Sequence, residues 1–359
     1  MKNATGLIYS DKYLKHDTGP YHPESPRRLK AIIKEMKESG ILNSNKCILI
    51  EPREASIEEL KLVHEADYVN YVREACSSKL RYLDSDTPIT EATFEIAQLA
   101  AGGLIKACEE IIGKKITNAF ALVRPPGHHA GINGRALNAP SLGFCIFNNV
   151  AIAAAKLMKK FGLKRIAILD FDCHHGNGTQ EIFYNDRRVL CIGFHQDGRT
   201  IYPGSGFIDE VGEGDGEGYN INVPFPPASG DEVYAKVFSE LAAPIIEQFS
   251  PEFILISAGF DGHYLDPLTS MKLTSNGYRE LFKRSLALAR EHCFGRLAAS
   301  LEGGYGAALP KAAASCIAEM AGVDYEVNEK IEPTDPKVIK KVNFLIKEIK
   351  AKISSYWNV

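Results

Sequence analysis

The chain has 359 residues, 45% of them hydrophobic, and a formal net charge of −3. That length and apolar content can bury a large core, while the mild acidity gives no global basic field to draw the protein to nucleic acid or an anionic membrane. No apolar span of about 18 residues occurs, and Met1-Lys2-Asn3-Ala4-Thr5 runs into the short apolar stretch Gly6–Tyr9 without a signal-peptide core, so a soluble, cytoplasmic protein is expected.

In chain order, helices are expected at Pro26–Ser39 and Thr93–Ile112, a strand at Phe120–Val123, a helix at Asn149–Phe161, and strands at Arg165–Leu169 and Val189–Phe194. A helix over Glu232–Phe249, a strand at Phe253–Ser257, a helix over Asn276–His292, a strand at Arg296–Leu301 and a helix over Leu309–Ala321 follow. The strands are short apolar runs rich in β-branched residues, and the helices carry a helical apolar period. Their alternation predicts an α/β fold with a parallel sheet covered on both faces. No linker or repeat interrupts the pattern, so residues 1–325 are expected to form one domain. Residues 326–359, with the lysine-rich amphipathic stretch Pro336–Tyr356, are expected to add a helical extension packed on it. Cys47, Cys76, Cys108, Cys145, Cys173, Cys191, Cys293 and Cys316 form no Cys-X-X-Cys pair and several lie in apolar runs, as reduced core thiols do.

Polar and glycine-rich segments follow the strands: Arg124–His129, Asp170–Gly178, His195–Asp197, Ala258–Asp261 and Glu302–Tyr305. In open α/β sheets the ligand site lies beyond the carboxyl ends of the strands, so these distant segments are expected to converge on one crevice. A lone Asp-X-Asp reads as turn capping. The continuation His-His-Gly-Asn-Gly after Asp172 favours a metal site, in which Asp172 and His174 share one face of an extended segment and Asp261 is the third ligand. One imidazole with two carboxylates suits zinc and also Fe(II). His128 and His129, fixed behind Pro125-Pro126-Gly127, are expected to divide the proton transfers: one as general base on metal-activated water, the other charged or donating to the leaving amine. Asp170 and Asn177 are the available partners for their remote nitrogens, and a carboxylate raises basicity where an amide does not, so the two pKa values should differ. Tyr305, on a glycine turn, can polarise a substrate carbonyl.

Arg124-Pro-Pro-Gly-His-His129, Gly143-Phe-Cys-Ile-Phe-Asn-Asn149, Asp170–Gly178, Gly259-Phe-Asp261 with Asp266-Pro267, and Leu301-Glu-Gly-Gly-Tyr305 together resemble the histone deacetylase family. The resemblance starts at His22-Pro-Glu-Ser-Pro-Arg-Arg-Leu29, spans roughly residues 6 to 321, and in detail is similar to the class II, bacterial histone-deacetylase-like amidohydrolases and the acetylpolyamine amidohydrolases. It implies the arginase-deacetylase fold, a single domain around an eight-stranded parallel sheet flanked by helices, and zinc-dependent hydrolysis of an acetylated amine, acetyl-lysine or a small amine, to acetate and free amine.

By match to the family's motifs, Asp172, His174 and Asp261 bind zinc, His129 paired with Asn177 is the general base, His128 is paired with Asp170, and Tyr305 polarises the carbonyl. Phe144 and Tyr202 wall a narrow tunnel, Gly143 offers its carbonyl to the amide N–H, Asp86 is the rim aspartate, and Arg28 lines an acetate exit. The resemblance also implies one potassium at Asp170, Asp172, His174 and the backbone of Phe194, and a second at Phe183, Asp186, Val189 and Tyr219. Asn177 in place of the class I aspartate follows the class II habit, Tyr202 replaces a common phenylalanine, Gly193 lacks a hydroxyl found in some potassium sites, and Gly131–Leu142 is longer than in many relatives. The competing readings are an acetylpolyamine substrate, an arginase-like ureohydrolase needing a second metal, and a non-catalytic acetyl-amine binder. A homo-oligomer is compatible with the sequence.

Overall fold

A computed structural model describes residues 4–330 and 332–359; the first three residues of the N-terminus read above lie outside them. The elements in order are β1 (Thr5–Ile8), α1 (Arg27–Glu38), β2 (Cys47–Ile50), α2 (Ile57–Leu60), α3 (Ala66–Ser77), α4 (Thr93–Ile112) and β3 (Asn118–Ala121). A small hairpin, β4 (Ala130–Gly131) and β5 (Gly134–Arg135), precedes α5 (Asn149–Phe161), β6 (Ile166–Asp170), α6 (Asn177–Phe183), β7 (Val189–Gln196) and β8 (Asn220–Phe225). The chain continues through α7 (Asp231–Val237), α8 (Ala243–Phe249), β9 (Phe253–Ala258), α9 (Ser275–His292), β10 (Leu297–Leu301), α10 (Leu309–Ala321) and α11 (Pro336–Ile353).

Eight strands form one parallel sheet in the order β2-β1-β3-β10-β9-β6-β7-β8, the single-domain arginase-deacetylase architecture implied above. The inner strands are buried along their whole length, which is why they read as apolar runs without alternation. The neighbours β3, β10, β9 and β6 lie side by side, with Leu301 opposite Ala258 and Asp170 opposite Ser257. Because all four run the same way, the segments after them, Arg124–His129, Glu302–Tyr305, Gly259–Asp261 and Phe171–Asn177, leave the same edge of the sheet as neighbours.

The structure differs from the sequence reading at three places. The helix expected over Glu232–Phe249 is divided by a π turn at Phe238–Ala242, beside Pro244, which has no N–H to continue the α-helical ladder. The terminal helix stops at Ile353 rather than Tyr356. The strands β1, β2 and β8 were not singled out: β1 and β2 have four residues each, and β8 contains Pro224, tolerated because β8 is an edge strand.

The β8 edge is covered by α11, which buries Val342, Ile346, Ile349 and Ile353 at helical spacing, while Trp357 donates its indole N–H to the Gly218 carbonyl at 2.6 Å. No helix among the described residues is long and apolar enough to cross a membrane. Replacing Ile346 by Ala is expected to destabilise the fold by roughly 2–4 kcal/mol through the cavity it leaves, with little change in the distant crevice. Urea unfolding followed beside substrate turnover checks this, and an unchanged midpoint would contradict the packing role of α11.

Candidate active site

The segment after β6 does not stay extended, so strand alternation is not what aligns Asp172 with His174. Successive turns do it instead: the Asp172 N–H donates to Asp170 Oδ1 at 3.0 Å, and the His174 N–H donates to Asp172 Oδ1 at 2.9 Å. Asp261 arrives from the end of β9 and accepts the Cys173 N–H at 2.8 Å. His174 Nδ1 then lies 2.8 Å from Asp261 Oδ2 and 3.2 Å from Asp172 Oδ1, and the three side chains offer donor atoms within 4.8 Å of one another. A Cβ on Gly303 would run into both carboxylates and one on Gly259 into Asp172, so glycine is required where the backbone passes this close. Cys173, between the two turns, is buried in the core.

Charge explains what the cluster needs. Burial and the adjacent Asp172 charge push the Asp261 carboxyl up to about 7. Asp172 remains well below the usual carboxylate range, because the positive His128 and His174 outweigh its burial. Two buried carboxylates that repel each other as anions, with an imidazole at this spacing, fit a divalent cation.

His128 and His129 pack with ring centroids 3.9 Å apart, and their remote nitrogens have different partners. His128 Nδ1 lies 3.0 Å from Asp170 Oδ2, and His129 Nδ1 lies 2.7 Å from Asn177 Oδ1. The Asn177 amide N–H₂ donates to the Ala136 carbonyl at 3.0 Å, which turns its oxygen to His129. His129 Nδ1 must therefore donate, leaving Nε2 as the acceptor. Burial opposes charge on His128, but Asp170 and then Asp172 overcome it and raise that imidazole to about 10. Burial, reinforced by the charges of His128 and His174, holds His129 well below the ordinary histidine value. The two pKa values differ in the sense expected from their partners.

Sequence reasoning assigned no role to Glu302, which fastens this turn from the end of β10. Its Oε2 accepts the Gly127 N–H at 2.7 Å and the His128 N–H at 3.2 Å. The available signal was a lone acid between an apolar strand and two glycines. Glu24 was missed likewise: fully buried, it receives Arg124 Nε and Nη2 at 2.7 Å each and Arg28 Nη1 at 3.2 Å. Arg28 also donates to the carbonyls of Gly304 (2.7 Å) and Glu302 (2.5 Å), with its guanidinium 5.0 Å from the Tyr305 ring centroid.

Gly143, Phe144 and Tyr202 stand beside the tandem histidines and Tyr305. Gly143 and Phe144 both have positive φ, 54° and 69°, and a Cβ on Gly143 would come within 2.5 Å of His129 Cδ2 and 2.9 Å of the Tyr202 hydroxyl. Phe144 meets the Tyr305 ring edge-on at 5.7 Å, Tyr202 meets His129 at 4.9 Å, and the Tyr202 hydroxyl donates to the Ser141 carbonyl at 2.9 Å. His22, another residue without a sequence assignment, packs on Phe144 at 4.7 Å. Asp86 accepts from the Ser141 hydroxyl at 2.5 Å and the Thr87 hydroxyl at 3.0 Å, so it braces the 131–142 rim stretch.

Of the residues expected at a first potassium, Asp170 ends β6 opposite Gly193, the residue before Phe194 in β7, and Asp172 and His174 follow in the next turns; Asn222 Oδ1 stands 3.5 Å from where a Gly193 Cβ would be. Of the second set, Phe183, Asp186 and Val189 are linked by a run of backbone bonds, and Tyr219 accepts from Cys191; the Asp186 carboxylate pairs with Arg188 at 2.6 Å.

A family model of the histone deacetylase domain matches residues 22–320. A probable deacetylase of Archaeoglobus fulgidus is 44% identical over 366 aligned positions, 99% of each chain. A histone deacetylase-like amidohydrolase of Pseudomonas aeruginosa is 34% identical over 92% of this chain and 89% of its own. Histone deacetylase 15 of Arabidopsis thaliana is 39% identical over 94% of this chain and 60% of its own. The crystal structure of the HDA15 HD domain aligns with a TM-score of 0.88 at 33% identity, covering 99% of this chain and 96% of that one.

The Glu24 network carries a pH signature. Burial opposes ionisation of Glu24, but Arg124 and then Arg28 hold it at about 2, against an ordinary 4.5. A folded value below the unfolded one stabilises the protein above about pH 4.5, and that contribution is lost as pH falls towards 2. Glu24→Gln should therefore lower stability at neutral pH and flatten the acid limb of the stability curve. Parallel acid-unfolding curves for the two proteins would contradict the assignment.

Proposed function

The chain belongs to the histone deacetylase family of hydrolases, and from that membership we propose a zinc-dependent deacetylase that cleaves an acetylated amine, acetyl-lysine or a small aliphatic amide, to acetate and free amine. The observation that carries the proposal is the pairing of the Asp172, His174 and Asp261 donors with two histidines of opposite electrostatic character. Asp172, His174 and Asp261 would hold a divalent ion, zinc in our assignment and Fe(II) by the same ligand chemistry, which when bound would supply Lewis acidity towards the amide carbonyl and a water.

His129, neutral and with Nε2 free to accept, takes the proton of the attacking water. His128, kept charged by Asp170, stabilises developing negative charge and can protonate the departing amine. The Tyr305 hydroxyl donates to the carbonyl oxygen as it becomes an oxyanion. The Gly143 carbonyl accepts the amide N–H, Phe144 and Tyr202 enclose the aliphatic stem, Asp86 holds the substrate at the rim, and Arg28 lines the acetate route. We assign monovalent cations, potassium by family habit, to the two sets at Asp170 and Phe183; a cation beside Asp170 would tune the histidines. Eight free, buried cysteines support a reducing, cytoplasmic setting.

His129→Ala should keep its metal by elemental analysis while turnover falls roughly 10²–10⁴-fold. Asp261→Ala should lose both metal and activity, and turnover surviving that change would refute the ligand assignment. Acetate release from a panel of acetyl-lysine peptides, acetylputrescine, acetylspermidine and longer acyl-lysines should be positive for at least one acetylated amine. A uniformly inert panel with metal bound would overturn the proposal.

A further inference from the structure

Beside the tandem histidines lies a second group of metal-capable donors that the hydrolytic scheme does not use. His128, Cys145 and Glu302 each present a ligand atom within 4.8 Å of the other two, and all three are buried. They come from the segments after β3, before α5 and after β10.

Glu302 is the informative member. Its Oε2 is satisfied by the Gly127 and His128 N–H groups, whereas its fully buried Oε1 has no hydrogen-bond partner. An unpartnered buried polar atom costs about 1–3 kcal/mol, more when charged, so a carboxylate oxygen held beside a thiol and an imidazole calls for a ligand. Donors separated by up to 4.8 Å can share a centre ~2.8 Å from each, and a small inward adjustment reaches metal-bond lengths. The set also differs in kind from Asp172, His174 and Asp261, since a thiolate selects softer ions than carboxylates do.

We propose that His128, Cys145 and Glu302 form a second, soft-metal site beside the reaction centre, which takes a thiophilic divalent ion such as Cd²⁺ or surplus Zn²⁺ and halts turnover by engaging His128. Binding forms a metal–sulfur bond while the Cys145 thiol proton, the proton of a charged His128 and any proton that the buried Glu302 carboxyl carries pass to solvent; no electron is transferred. Burial pushes the Cys145 thiol well above its ordinary value, which makes the site weaker than the first and filled only by excess metal. The inhibitory effect rests on the role proposed for His128; the site itself does not.

The test is titration of the zinc-loaded protein with Cd²⁺, following thiolate-to-cadmium charge-transfer absorption, retained zinc and acetate release together. One Cd²⁺ per chain should bind with the absorption band, zinc should stay, and turnover should fall in step. Cys145→Ser should keep its basal turnover, lose the band, and need about tenfold or more Cd²⁺ for the same inhibition. Glu302→Gln, which keeps an acceptor for the two N–H groups, should weaken the band's titration about tenfold as well. A band unchanged in Cys145→Ser would belong to another cysteine and overturn the proposal, as would equal inhibition of the variant and the parent. The band needs no turnover and should persist in Asp261→Asn. A band without activity in the parent protein would defeat the proposed hydrolysis alone, and activity without a band would defeat the second site alone.

Discussion

Carboxylates from Asp170, Asp172, Asp261 and Glu302 are buried together where three strands end, and compensating that charge is the condition on which the surrounding architecture depends. Buried anions left alone are far too costly to keep. Here backbone N–H groups meet several of the oxygens: Asp172 onto Asp170, Cys173 onto Asp261, Gly303 onto Asp172, and Gly127 with His128 onto Glu302. The imidazoles of His128 and His174 add positive charge, and a bound cation would add more. Even the glycines follow from this condition, since side chains at 259 or 303 would occupy the space the carboxylates need.

A second layer holds the first in place. Arg124 and Arg28 converge on Glu24, and Arg28 reaches on to the carbonyls of Glu302 and Gly304. One buried ionic network thus ties the segment carrying His128 to the segment carrying Tyr305. Removing any one charge would strand the others in a low dielectric, so the network specifies an arrangement as much as it strengthens one.

The site was legible in the sequence to the extent that chemistry is local. Asp170–Gly178, Arg124–His129 and Leu301–Tyr305 are dense with groups that packing cannot explain, and the alternation of apolar strands with helices placed them all at carboxyl ends. Which strands are neighbours is not a local property: β3 and β10 adjoin although half the chain separates them, with Leu297 opposite Asn118. The same holds for Glu24, whose partner Arg124 is 100 residues away, and for the Glu302 contacts with Gly127 and His128. At shorter range the sequence misled once. Asp172 and His174 are indeed on one side, but each aspartate catches the N–H two residues on and bends the chain, a side-chain effect that backbone periodicity does not contain.

The amide of Asn177 has a consequence of a different sort. Its orientation is fixed by the Ala136 carbonyl, and an amide has no proton to gain or lose across the range in which proteins function. It therefore serves His129 as an invariant reference, setting which nitrogen is the acceptor without responding to acidity. The Asp170 partner of His128 carries charge and responds to whatever ions gather near it. Two chemically identical rings thus acquire separate controls, one geometric and constant, the other electrostatic and adjustable by ionic surroundings.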